Sequence, residues 1–94
     1  MSLSVETAET IALRALTWLV ANDELLPVFL GATGASVDDL KGQAADGGFL
    51  GSVLEFLTMD DAWVVAFCDA EGFPYETPMM AAQTLSGEAR MHWT

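Results

Sequence analysis

Basic side chains are scarce in this sequence. Arg14, Lys41 and Arg90 stand against 14 acidic residues, so the formal net charge is −11. The acidic residues are spread along the chain and form no acidic tail. A negative field of this size repels nucleic-acid phosphates and anionic membrane surfaces, and it attracts basic protein surfaces. We therefore expect a protein partner and no binding to nucleic acid or membranes.

Cysteine and histidine each occur once, as Cys68 and His92. A single cysteine forms no disulfide within the chain and no zinc site built from several cysteines, and it fits a reducing cytoplasm. A nucleophilic cysteine needs a neighbouring histidine or a basic environment to lower its pKa. Because His92 falls in a predicted C-terminal tail, we expect Cys68 to be a small core residue and His92 a solvated one. No metal site and no cofactor is predicted.

Patterns typical of catalysis are also missing. The aspartate pairs at 38–39 and 60–61 lie where helices are predicted to begin, and aspartate at such positions caps the backbone. The glycine-rich stretches 31–34 and 47–48 lack the lysine of a phosphate-binding loop. We therefore predict that the protein is not an enzyme.

Long hydrophobic runs are absent. The most apolar stretch, residues 11–21, is too short to span a bilayer and contains Arg14. Residues 1–4 lack the positive charge that opens a signal peptide. For lack of a membrane span and a signal peptide, we expect a cytoplasmic protein. Since 52% of the 94 residues are hydrophobic, we expect residues 1–94 to form a single folded domain.

Helical patterning, in contrast, runs through the whole chain. Apolar residues recur at spacings of three and four between residues that start and stop helices. The pattern predicts an all-α fold, a compact bundle of five or six short helices. The predicted ranges are about 5–21, 23–30, a third helix from 37 to a break at 46–48, then 49–58, 61–71 and 78–87, with a frayed tail over 88–94.

Capping residues mark the predicted boundaries. Ser4, Ser36 and Asp60 are predicted N-caps, and Asp39 completes a capping box with Ser36. Gly31 is predicted to end the second helix.

The predicted arrangement places helices one, four and five in a central layer. Helices two and three form a helix-turn-helix-like corner against it, which we interpret as a packing corner because its second helix presents acidic residues 38–39. The residues 63–67 are β-branched and aromatic, so a buried strand is the alternative there. The predicted core residues are Ile11, Leu16, Leu19, Leu50, Leu54, Leu57, Val64 and Phe67.

Several local patterns follow one another in a distinctive order. They are an Ala/Leu-rich first helix, Leu-x-x-Phe-Leu-x-x-Thr-Gly at 26–34, Asp-Asp-Leu at 38–40, the apolar run 49–57, and Asp-Asp at 60–61 before an Ala-rich last helix. This order resembles a family of short alphaproteobacterial proteins, the domain of unknown function 3572, over roughly residues 5–85. The resemblance implies a helical fold and no particular activity.

The apolar content exceeds what so small a domain can bury, and contiguous exposed apolar surface usually marks a binding site. We therefore predict a protein-interaction module or small adaptor, with self-association as a homodimer included. One alternative is an acidic regulator that binds a basic protein surface by charge mimicry. Another is a small-molecule binder with an apolar pocket between helices. The predicted partner-binding residues are Trp63, Phe73, Tyr75, Met79 and Met80.

Overall fold

Six α-helices follow one another in the computed structural model, which describes residues 3–43 and 46–91. They are α1 (Val5–Val20), α2 (Leu26–Thr33), α3 (Val37–Gln43), α4 (Gly47–Leu57), α5 (Asp61–Glu71) and α6 (Thr77–Met91). No strand occurs within these described ranges, so the predicted all-α fold is confirmed. The alternative of a strand over 63–67 is wrong, because that stretch lies inside α5.

The first helix begins and faces the core as its sequence predicts. Ser4 caps it, since its hydroxyl accepts the Thr7 N–H at 3.1 Å. One side of α1 is exposed and polar, and the opposite side is buried. The buried side consists of Ala8, Ile11, Ala12, Ala15, Leu16 and Leu19. Half of these six side chains are single methyl groups, which lets other helices approach α1 closely.

The central layer contains α6 in place of α5. Helices α1, α4 and α6 pack extensively against one another, whereas α5 contacts α1 over a short stretch. The prediction that α1, α4 and α5 form this layer is therefore wrong. Small residues explain the difference: Ala81 of α6 is fully buried, and a Cβ added at Gly51 of α4 would lie only 3.7 Å from the Leu85 Cβ. Helix α5 buries only Phe67 and Cys68 fully and lies at the edge of the bundle.

The predicted core residues are buried, with one exception. Val64 is half-buried because it lies on the peripheral helix α5. Phe29 of α2 is also completely buried, although it was not among the predicted core residues. The core therefore extends from the central layer into the corner formed by α2 and α3.

The second helix differs from its prediction at both ends. Asn22 accepts the N–H groups of Glu24 and Leu25, each at 3.1 Å, so a capped turn precedes the helix and α2 starts later than expected. The helix continues past Gly31 to Thr33, and the prediction that Gly31 ends it is wrong. The left-handed residue is Gly34, with φ of 74°, whose N–H donates to the Leu30 carbonyl at 2.8 Å.

The boundaries of α4 and α6 also extend beyond those predicted. Of the predicted break at 46–48, Asp46 lies outside a helix, but both glycines belong to α4. Asp46 caps this helix, since its carboxylate accepts the Gly48 N–H at 2.9 Å. Helix α6 continues past Gly87 to Met91, so residues 88–91 of the predicted tail are helical. Residues 92–94 of that tail, including His92, lie outside the described residues. The capping box of Ser36 and Asp39 and the Asp60 cap are confirmed.

Two glycine substitutions test the helix spacing and the corner turn. Gly51→Ala should raise the free energy of unfolding by about 0.5–1 kcal/mol, because alanine is favoured over glycine inside a helix. The added Cβ makes only an ordinary van der Waals contact, 3.7 Å from the Leu85 Cβ. Gly34→Ala should lower it by about 1 kcal/mol, because φ of 74° is strained for alanine. Urea denaturation measures both. Gly42→Ala, where an added Cβ meets nothing within 4 Å, is the control for helix propensity alone. A clear loss of stability in Gly51→Ala would contradict the expectation that a Cβ fits at this position, and would show that α4 and α6 leave no room for it.

Candidate functional site

A groove of about 470 Å³ lies where the corner of α2 and α3 faces α4. We call it the corner groove. Its apolar lining consists of Ala32, Ala35, Phe49, Phe56 and Met59. Its polar lining includes Thr33, Asp39, Gln43, Ser52 and Glu55. The groove therefore combines an aromatic floor with two carboxylates.

Helix α4 supplies the floor because it is apolar on two sides. One side packs in the core and consists of Leu50, Val53, Leu54 and Leu57, and Phe56 is buried as well. The other side carries Phe49, Ser52 and Phe56, which are spaced three and four apart and therefore share a face. This second side lines the corner groove. The helical periodicity at 49–56 is the sequence signal for this second side. The sequence predicts an apolar helix there, but it does not show that two of its phenylalanines line a groove.

A row of aromatic rings holds the floor in place. Phe29 makes edge-to-face contacts with Phe49 at 6.1 Å and with Phe56 at 5.2 Å between ring centroids. Phe56 also stacks on Trp63 of α5, with centroids 4.8 Å apart. Such pairs stabilise a fold by about 0.5–1.5 kcal/mol each beyond the area they bury. The floor is thus tied to α2 and α5 as well as to α4.

The groove carries negative charge on two sides. Asp39 is held by the capping box: its carboxylate accepts the Ser36 N–H at 3.1 Å, and its own N–H donates to the Ser36 hydroxyl at 3.3 Å. Glu55 projects from α4 and is exposed. Met59, just beyond α4, is 77% exposed at the same groove. A ligand in the groove would therefore meet an apolar floor between two carboxylates.

The wall formed by α3 is attached to the bundle by little apolar surface. Leu40 is the one buried side chain among those described in α3. Val37 of the same helix is 51% exposed. Additional packing between α3 and α4 would therefore bury apolar surface that the chain alone leaves open.

The five predicted partner-binding residues lie on α5, on α6 and in the connection between these two helices. Trp63 lies in the first turn of α5, half-buried behind Phe56. Phe73 follows the other end of α5 and is half-buried against Phe67, at 5.8 Å between centroids. Tyr75 is 54% exposed. On α6, Met79 is 55% exposed and Met80 is half-buried. Their role in partner binding stays a prediction.

Phe73 and Tyr75 share a shallow hollow of about 260 Å³ with Cys68. Cys68 is buried and free, as predicted for a core residue, and its thiol donates to the Pro74 carbonyl at 3.5 Å. Burial raises the pKa of Cys68, and the nearby carboxylate of Asp69 raises it further. The pKa of Tyr75 is raised because its hydroxyl donates to Asp69 at 2.8 Å. Both groups are therefore held in their protonated forms.

Two further properties concern metals and membranes. Across residues 3–43 and 46–91, no three side chains of His, Cys, Asp or Glu come together as potential metal ligands. In the same part of the chain, no helix combines the length and apolar character needed to cross a bilayer.

The raised pKa of Cys68 predicts a loss of stability at alkaline pH. Its contribution to stability is complete below the pKa of an unfolded thiol, about 8.5, and is lost as the pH rises through the higher folded pKa. The free energy of unfolding, measured by urea denaturation, should therefore fall as the pH rises above about 8.5. Cys68→Ala should reduce this fall. An unchanged pH slope in Cys68→Ala would contradict the assignment.

Comparison with known proteins identifies the family and nothing further. No curated protein and no solved structure matches the chain. The model of the family described as "Protein of unknown function (DUF3572)" matches residues 5–88, which is most of the chain. The chain therefore belongs to this family.

Proposed function

We propose that the protein is a cytoplasmic protein-interaction module that receives a partner in the corner groove. The observation that carries the proposal is the side of α4 that faces the corner, where half-buried Phe49 and the 5% of Phe56 that stays exposed line the groove. Exposed Met59 extends this apolar surface. Aromatic residues and methionine are enriched in the cores of protein interfaces. The buried free thiol of Cys68 is consistent with a reducing compartment.

The lining of the groove favours a protein over a small molecule. Small-molecule sites usually place a few buried polar groups so that they fix the ligand's orientation. The described residues include no buried polar or charged side chain, and the carboxylates Asp39 and Glu55 are both exposed. An apolar floor with a polar, solvated rim is the usual anatomy of a protein interface.

Site-specific photo-crosslinking tests this proposal. A photo-crosslinking amino acid in place of Met59, in the full chain and in cells that naturally contain it, should form an adduct with a specific protein. The same amino acid in place of Val28 is the matched control, because Val28 is 48% exposed on α2 and does not line the groove. Ser52→Trp, which fills the groove, should reduce the Met59 adduct.

Two results would contradict the proposal. One is the absence of any adduct at the Met59 position, and the other is equal adducts at both positions. An adduct of twice the chain's 10.0 kDa would identify the partner as a second copy and would still support an interaction module.

A further inference from the structure

We infer that the occupant of the corner groove is a basic amphipathic helix of another protein, with apolar side chains on one face and lysine or arginine beside them. The inference rests on the proposed function and specifies the chemistry of its partner. Two features of the groove and one of the whole chain support this inference. They are the spacing of the apolar floor, the carboxylates that line the groove, and the net negative charge of the chain.

The floor has the length of a short helical contact. Phe49 and Phe56 are seven residues apart on α4, which corresponds to about 10 Å along a helix. Phe56 is only 5% exposed, so half-buried Phe49 and exposed Met59 offer more of the accessible surface. An amphipathic helix that uses side chains at i, i+3 or i+4, and i+7 presents an apolar stripe of the same length. Met59 continues the floor with a flexible thioether that adapts to different side-chain shapes. Two or three apolar side chains of such a helix would cover the floor.

The carboxylates reach the groove from two different helices. Asp39 belongs to α3 and Glu55 to α4, and both line the groove. The hydrogen bond from Ser36 N–H holds the Asp39 carboxylate in position, so its negative charge needs no reorganisation when a cation approaches. A helix lying in the groove would therefore meet one carboxylate from α3 and one from α4. Lysine or arginine at its flanking positions is complementary to this arrangement.

The same charges oppose a second copy of this chain as the occupant. Two corner grooves placed face to face would bring Asp39 and Glu55 of each copy together, in molecules that each carry a net charge of −11. Like charges juxtaposed across an interface oppose association. The same field increases the encounter rate with a basic segment, most strongly at low ionic strength.

Three synthetic helical peptides of equal length serve as probes. The first has a leucine stripe flanked by lysines, the second replaces the lysines by glutamates, and the third replaces the leucines by serines. Amide chemical shifts of the full chain are followed by NMR during titration. The leucine–lysine peptide should shift signals of Asp39, Ser52, Glu55 and Met59, and its affinity should fall as salt is raised. The other two peptides should not produce these shifts.

Two exposed side chains allow matched variants. Glu55→Gln should weaken binding of the leucine–lysine peptide about two- to fivefold, as expected for the loss of one exposed ion pair. Glu24→Gln removes an exposed charge outside the groove and should change the affinity less than about 1.5-fold. Met59→Ser should weaken binding about fivefold or more through lost apolar contact, with Val28→Ser as its control. All four positions are exposed, so the variants are expected to fold.

Several results would overturn the inference. These are no binding of the leucine–lysine peptide, equal binding of the glutamate peptide, the same groove shifts with the serine peptide, or shifts spread over the acidic surface outside the groove. If the Met59 crosslink succeeds and the peptide fails, the groove is an interface but its partner is not a basic helix. If no crosslink forms at Met59, the proposed function itself fails.

Discussion

The close approach of α1, α4 and α6 is the constraint on which the rest of the fold depends. Ala12 and Ala15 on α1, Ala81 on α6 and Gly51 on α4 leave little side-chain volume between these helices. Their backbones can therefore come near one another, and the larger apolar side chains fill the remaining space around them. Because these three helices occupy the centre, α2, α3 and α5 pack around them and add Phe29, Leu40, Phe67 and Cys68 to the core.

This arrangement leaves α4 with an apolar side that the central layer does not cover. Phe29 and Trp63 attach α2 and α5 to that side through ring contacts with Phe56. Helix α3 has no such ring and is held by Leu40. The groove thus has a firmly packed floor and a lightly attached wall, a combination that suits binding of a helix between α3 and α4.

The acidity of the chain has a structural and a functional side. Asp39, Asp46 and Asp60 each accept a backbone N–H at a helix start, so part of the negative charge stabilises the helices locally. These carboxylates remain exposed or half-buried and still contribute to the field outside. Asp39 does both, since the bond that starts α3 also fixes a charge beside the groove. Capping and electrostatic recognition are therefore compatible at one residue.

The sequence alone determined what depends on neighbours along the chain. The all-α class, the caps at Ser4 and Asp60, and the buried side of α1 could be predicted because capping bonds and helical faces involve residues a few positions apart. Only the tertiary structure decided that α6 replaces α5 in the centre and that Phe56 faces a groove. Apolar periodicity shows that a helix buries one side, but not which helices meet. That choice depends on the volumes of side chains far apart in sequence, which decide how closely two helices can pack.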